Sequence, residues 1–234
     1  MIPVLIAPAY NRHDLLERML WSVDAPVGKL LIVDNNRDYS PTVTWPNATI
    51  FRPPFQSLGY GGSINFGISQ NPAAPWWMWA SNDVQFHKGH LATVIERMNQ
   101  TTEPRIVTGG FTWGAVNRAL VDTVGLVDEW SFWPIYFDDN DYQYRCKLAG
   151  VEWIEDWSDG STHGDGVHSA SVTINADQRT RESNDRSFVQ NGQAYREKWG
   201  GWPHHERYQT PWDSGMPVWV TRPDIAGRHS RRWR

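Results

Sequence analysis

The sequence predicts an α/β fold, a sheet of buried strands flanked by helices, continued by an aromatic-rich C-terminal extension. Two observations predict it. Short apolar runs stop abruptly on polar side chains: residues 2–7 before Pro8, 29–36 at Asp34 to Asn36, and 76–86 at Ser81 to Asp83. Between these runs lie segments whose apolar residues recur at helical spacing.

The first run reads as a buried strand feeding a loop at Pro8. Over residues 13–23, Leu15, Leu16, Met19, Leu20 and Val23 keep helical spacing behind Asp14, whose carboxylate suits a helix N-cap. Residues 29–36 supply a second strand, so strand, helix and strand fit within about 35 residues, the size of a βαβ unit. Ligands of such sheets sit beyond the carboxyl ends of the strands, which puts Tyr10, Asn11, Asp34 and Asn35 along one rim. A third strand over 48–52 leads into the glycine-rich stretch 57–71. There Gly59, Gly61 and Gly62 permit a close backbone approach, and Asn65, Phe66 and Ile68 suggest the helix that follows.

Residues 76–86 are a buried strand or a short helix, and 90–98 an amphipathic helix. Residues 105–113 read as a strand, and 114–130 as a short strand and helix leading to the acidic run 136–145. From 172 to 192 the chain is polar with little periodicity, a helix or an extended arm. Tyr195, Trp199, Trp202, Tyr208 and Trp212 then crowd around Gly200 and Gly201, either flooring a pocket or stapling the extension to the core. The basic residues 228–234 read as a solvated tail.

Composition narrows the chemistry. A formal charge of −4 over 234 residues offers no global polycation for nucleic acid. The single cysteine, Cys146, excludes an internal disulfide and a cysteine-based zinc site, as suits a reducing cytoplasm. Neither a signal peptide nor a membrane span is expected, since no 18-residue apolar run occurs. Acid is instead delivered to the end of a core element at Asp83 and again at Asp138, Asp139 and Asp141. Oxygen ligands at such a place hold a hard divalent cation and leave positions for phosphate oxygens, while a second acidic cluster supplies a general base.

Five segments in order resemble glycosyltransferase family 2, in its rhamnosyltransferase-like branch. They are P-x-Y-N-R at 8–12, V-D-N-N at 33–36, L-G-Y-G-G-S-I-N-F-G at 58–67, S-N-D-V at 81–84 and Y-F-D-D-N-D-Y-Q-Y-R at 136–145. The resemblance covers roughly residues 3–170. It implies a GT-A fold, a Rossmann-like mixed sheet flanked by helices. The nucleotide-sugar-binding and catalytic domain would span 1–170, and 171–234 would be an extension packing on it. It also implies a nucleoside diphosphate sugar donor, UDP-, dTDP- or GDP-linked. Donor contacts would come from Pro8, Tyr10, Asn11, Arg12, Asp34, Asn35, Gly59, Gly61, Asn65 and Asn82. Asp83 would hold Mn²⁺ or Mg²⁺ as the remaining acid of a degenerate D-x-D motif, since Ser81 stands where many members carry a carboxylate or amide. His163 or His168, in the loop 157–171, would complete the metal site, His163 being the first choice. Asp139 would be the catalytic base with Asp138 beside it, and Asp141 would pair with Arg145. Trp113, Tyr195 and Trp199 are the candidate acceptor contacts.

These residues predict an inverting hexosyl- or deoxyhexosyltransferase acting on a hydroxyl of a glycan, a protein or a modified DNA base. The setting would be cytoplasmic, in the host if the protein is phage-encoded. Two other classes fit part of the sequence. A non-catalytic carbohydrate- or nucleotide-binding module is permitted by Ser81, although it has no need of Asp139. A GT-A-like nucleotidyltransferase would carry a basic glycine-rich loop near its N-terminus, where this chain has only Arg12.

Overall fold

The computed structural model describes residues 1–156, 160–164, 172–173 and 176–216. Its strands are β1 (Ile2–Ala9), β2 (Val27–Asp34), β3 (Ala48–Phe51), β4 (Trp76–Ala80), β5 (Val84–Phe86), β6 (Ile106–Gly109), β7 (Trp113–Asn117), β8 (Trp153–Glu155) and β9 (Ser161–His163). Its helices are α1 (His13–Trp21), α2 (Gly59–Gln70), α3 (His90–Asn99), α4 (Arg118–Val124), α5 (Asp138–Leu148) and α6 (Gln178–Trp199).

Seven strands form one mixed sheet in the order β3-β2-β1-β4-β7-β6-β8. The β1–β2, β2–β3, β1–β4 and β6–β8 pairs are parallel, whereas β7 runs antiparallel to both β4 and β6. Strands β5 and β9 make a separate antiparallel pair. Alternate side chains of each central strand enter opposite cores. Trp76, Met78 and Ala80 of β4 face α1 and α3, while Trp77 and Trp79 face α2, α4 and α5. Burial on both faces explains why these strands read as unbroken apolar runs.

Three sequence expectations change at this level. Residues 105–113 are not one strand, because Gly110 and Phe111, at φ 54° and 60°, turn the chain between β6 and β7. The N-cap position of α1 is held by Arg12, not Asp14; Asp14 lies in the first turn and pairs with Arg12 at 2.8 Å. The glycine-rich stretch is not a turn ahead of a helix, since α2 itself begins at Gly59. Its glycines serve close packing: a Cβ on Gly67 would lie 2.4 Å from Ile6 Cγ1, and one on Gly61 would lie 2.8 Å from Val127 Cγ1.

Of the two alternatives for 172–192, helix or extended arm, the structure has a helix from Gln178, and it runs on to Trp199 as α6. Asp177 caps it through Thr180 N at 2.8 Å. Its second half packs on α5 through an aromatic cluster of Phe132, Phe137, Tyr144, Tyr195 and Trp199. Beneath that cluster Lys198, 1% exposed, lies 2.6 Å from Asp141 and 2.7 Å from Asp128. Asp141 also takes Arg145 Nε at 2.8 Å and the Trp199 indole N–H at 2.8 Å. The Asp141–Arg145 pairing is the one expected, but it is buried rather than solvated.

Lys198→Met removes a buried cation from two carboxylates, so it should cost about 3–5 kcal/mol in urea unfolding at pH 7. Burial alone would raise the Asp128 carboxyl, yet Lys198 and Ser131 outweigh it and hold it well below the usual carboxylate range. A depressed folded-state pKa stabilises above the unfolded value of about 3.9 and loses that contribution as pH falls below it. The gap between variant and wild type should therefore stay level from pH 7 to 5 and narrow below about pH 4. A gap that held level into strong acid would contradict the assignment.

Candidate active site

A cavity of about 350 Å³ opens beyond the carboxyl ends of β1, β2 and β4. Pro8 lies in the last pleat of β1 and Tyr10 just beyond it, Asn35 follows β2, and Ser81, Asn82 and Asp83 follow β4. The first turn of α5 adds Asp138 and Asp139, and α6 adds Thr180, Ser183 and Asn184. Each strand leaves the core where its side chains turn polar, so the rim is built by the ends of the hydrophobic runs.

Pairing of β5 with β9 sets Asp83 beside His163, with Asp83 Oδ1 3.1 Å from His163 Nε2. The Thr173 hydroxyl donates to Asp83 Oδ2 at 3.3 Å or to Asn82 Oδ1 at 3.2 Å. Asn82 in turn donates to the Tyr10 and Asn11 carbonyls at 3.3 and 3.2 Å, which ties the end of β4 to the end of β1. Ser81 donates to the Tyr60 hydroxyl at 3.1 Å, and Tyr60 donates to the Phe111 carbonyl at 2.8 Å. Ser81 thus acts as a brace. A carboxylate and an imidazole at one cavity wall, backed by a hydroxyl, are donors that fit a divalent metal ion. His168 lies outside the described residues.

The second acidic centre depends on a left-handed turn at Tyr136 and Phe137, φ 80° and 64°, which aims the first turn of α5 at the cavity. Asn191 of α6 fixes that turn by donating to the Ile135 carbonyl at 2.8 Å. Asp138 is 3% exposed, and among the described residues its Oδ2 has no donor. Burial raises the Asp138 carboxyl well above its ordinary range, with the Asp139 charge adding to the effect. Burial also raises Asp139, aided by Glu155. Proximity to the helix N-terminus opposes both shifts without cancelling them. A carboxylate held above its ordinary range is a stronger base than a free one, as a general base requires. Burial pushes the Cys146 thiol up to about 12, so it is no nucleophile.

Of the residues singled out in the sequence, Pro8, Tyr10, Asn35, Gly59, Asn82, Asp83, Asp138, Asp139 and His163 line this cavity. Others are placed elsewhere. Asp34 is fully buried and accepts from Arg37 N, Tyr39 N and Arg52 Nε at 2.8, 3.0 and 3.1 Å, shaping the loop after β2. Its carboxylate also groups with His13 and Asp38, their ligand atoms lying within 4.8 Å. Asn11 takes a hydrogen bond from Asn36, and Arg12 faces Asp14. Asn65 clasps the Val127 backbone from both ends of its amide, at 2.7 and 3.0 Å. Gly61 gives α5 and the Val127 loop room against α2.

The acceptor candidates need correction. Trp113 lies in the core, its indole donating to Ser161 at 2.9 Å. Tyr195 and Trp199 are fully buried between α5 and α6 and neither lines the cavity that holds the acidic pair, so they act there as the staple. Sequence reading missed Tyr60, Trp133, Tyr136, Thr173, Thr180, Ser183 and Asn184, all in the cavity wall. The last group had a legible signal: an Asp-x-x-Thr capping pattern at 177–180 and short polar residues at helical spacing behind it.

No protein-family model matches the chain, and no curated protein matches it in sequence. Solved structures do resemble the fold. The mannosyltransferase PcManGT from Pyrobaculum calidifontis, in complex with GDP-Man and Mn²⁺, superimposes with a TM-score of 0.52 at 14% identity over 82% of this chain. This chain spans 64% of that protein's length. TarS of S. aureus, residues 1–349, gives a TM-score of 0.46 at 12% identity, covering 67% of this chain and 58% of that one. The mixed α/β architecture is that of GT-A glycosyltransferases. No helix among the described residues is long and apolar enough to cross a membrane.

Removing the Asp139 charge should lower the Asp138 carboxyl part of the way, since burial remains. In Asp139→Asn, carboxyl-carbon NMR should follow Asp138 titrating at lower pH than in wild type. An unchanged Asp138 titration would mean that the two carboxyls do not interact.

Proposed function

We propose that this protein is a metal-dependent, inverting glycosyltransferase of the family 2 type, in its rhamnosyltransferase-like branch. It would move a hexosyl or deoxyhexosyl group from a UDP-, dTDP- or GDP-linked donor to an acceptor hydroxyl. The single observation that supports this most is that Asp83 with His163, and Asp138 with Asp139, line one cavity at the ends of the parallel strands. The fold shared with a GDP-mannose- and Mn²⁺-bound mannosyltransferase is consistent with it.

In this reading Pro8, Tyr10, Asn35 and Asn82 orient the donor beyond the strand ends. Asp83 and His163 would hold Mn²⁺ or Mg²⁺, which supplies positive charge to the leaving diphosphate. Asp139 takes the proton of the acceptor hydroxyl as its oxygen bonds to the anomeric carbon. The bond from that carbon to the diphosphate oxygen breaks, and its electron pair leaves with the nucleoside diphosphate. A single displacement of this kind inverts the anomeric configuration. Residues 1–170 would carry donor binding and catalysis, with 171–234 completing the site from the other side. A cytoplasmic setting, in the host for a phage-encoded enzyme, matches the single buried thiol.

Asp83→Ala should abolish the Mn²⁺-dependent part of nucleoside diphosphate binding in calorimetry while the fold persists. Asp139→Asn should keep that binding and lower transfer by about 10²–10⁴-fold, the usual worth of a general base. Unaltered metal dependence in the first variant, or retained turnover in the second, would reassign the residue concerned.

A further inference from the structure

Helix α6 has an outer face that the cavity does not use. Its inner face buries Ser187, Asn191, Tyr195, Lys198 and Trp199 against the rest of the fold. On the outer side Gln178, Glu182, Asp185, Val189, Gln193 and Arg196 recur at spacings of three and four, and all are exposed, so they form one stripe along the helix. The middle of the stripe is apolar. Val189 is 69% exposed, and Phe188 beside it is 51% exposed. Phe188 leans on Phe137 at 5.3 Å between ring centroids, and Trp202, 46% exposed, extends the same surface from the other side of Phe137 at 5.9 Å. A contiguous apolar surface rimmed by charges is the pattern of an association site.

The charges around that surface say which partner fits. Glu182 and Arg196 each lie seven residues from Val189, two helical turns to either side and about 10 Å along the axis. Glu182 accepts from Gln178 of its own helix at 2.9 Å, and the Arg196 guanidinium lies over the Trp202 ring; neither has an ion-pair partner among the described residues. A second α6 laid antiparallel on the first, with a two-fold axis at Val189, sets each Glu182 opposite the partner's Arg196. It also sets Val189 against its own copy and Asp185 opposite the partner's Gln193, so no like charges meet. A parallel pairing would instead bring Glu182 onto Glu182 and Arg196 onto Arg196. The stripe is self-complementary in one orientation, as an isologous two-fold interface requires.

We propose that this protein associates with a second copy of itself through the outer face of α6, antiparallel about Val189. The N-terminal half of the same helix supplies Thr180, Ser183 and Asn184 to the cavity, so the partner would stand behind that wall. This goes beyond the transfer reading and does not rest on it.

Sedimentation equilibrium on the full chain at low salt tests it, from about 1 to 100 μM, the range expected of a modest interface. Wild type should pass from monomer to dimer within that range. Glu182→Arg and Arg196→Glu each turn both interfacial pairs into like charges, so each should weaken the dimer about tenfold or more. The double variant exchanges the charges and restores opposite signs, and it should return to within about threefold of wild type. That recovery also shows that the single variants fold. Val189→Glu sets two carboxylates together at the two-fold axis and should leave monomer throughout. A wild type that stays monomeric, a dimer indifferent to the single changes, or a double variant as weak as the singles overturns the proposal.

Discussion

The Asp141 carboxylate, fully buried, is the interaction on which the rest of the site depends. It receives Arg145 from its own helix and Lys198 and Trp199 from α6, so α5 and α6 are joined at one point. Two cations would be costly so far from water, but Asp128 supplies the second negative charge and the set is balanced. Because Asp141 sits in the first turn of α5, the same join fixes the direction of that turn. Asp138 and Asp139 then have one place to point, the cavity beyond the parallel strands.

The opposite wall is built by a different constraint. Strands β1, β2 and β4 are buried on both faces, so polar groups enter only where each strand ends. Asn35 ties the end of β2 to the start of α2 by accepting from Leu58 N at 2.8 Å, and Asn82 ties the end of β4 to that of β1 through the Tyr10 and Asn11 carbonyls. These amides hold the wall in shape as well as lining the cavity, and Asp83 and His163 add the candidate metal ligands to it. Scaffold and chemistry are divided between neighbouring residues of the same short segments.

Much of this was legible in the sequence, for physical reasons that differ by element. Strands buried on both faces read as continuous apolar runs, so Asp83 and Asn35 could be located from the points where the runs stop. The acidic run 136–145 was legible because three carboxylates beside an arginine have few structural uses. Gly61 and Gly62 read as lying ahead of the helix, whereas they are inside it, because the reason for Gly61 is long-range packing against Val127, which no local pattern reveals. Trp113 and Trp199 were illegible as core residues, since an indole in a sequence does not tell a pocket from a staple. Helix α6 escaped hydropathy altogether. It buries Ser187, Asn191, Gly192 and Lys198 through hydrogen bonds, close packing and charge, so its packed face carries few apolar residues.

The most direct test of the account is thermal melting with UDP, dTDP, GDP and ATP, each with and without Mn²⁺. A ligand that binds only the folded state raises the melting temperature by mass action. One nucleoside diphosphate should raise it, and Mn²⁺ should enlarge the rise. Stabilisation by none of them, or by the triphosphate alone, would contradict the transfer reading.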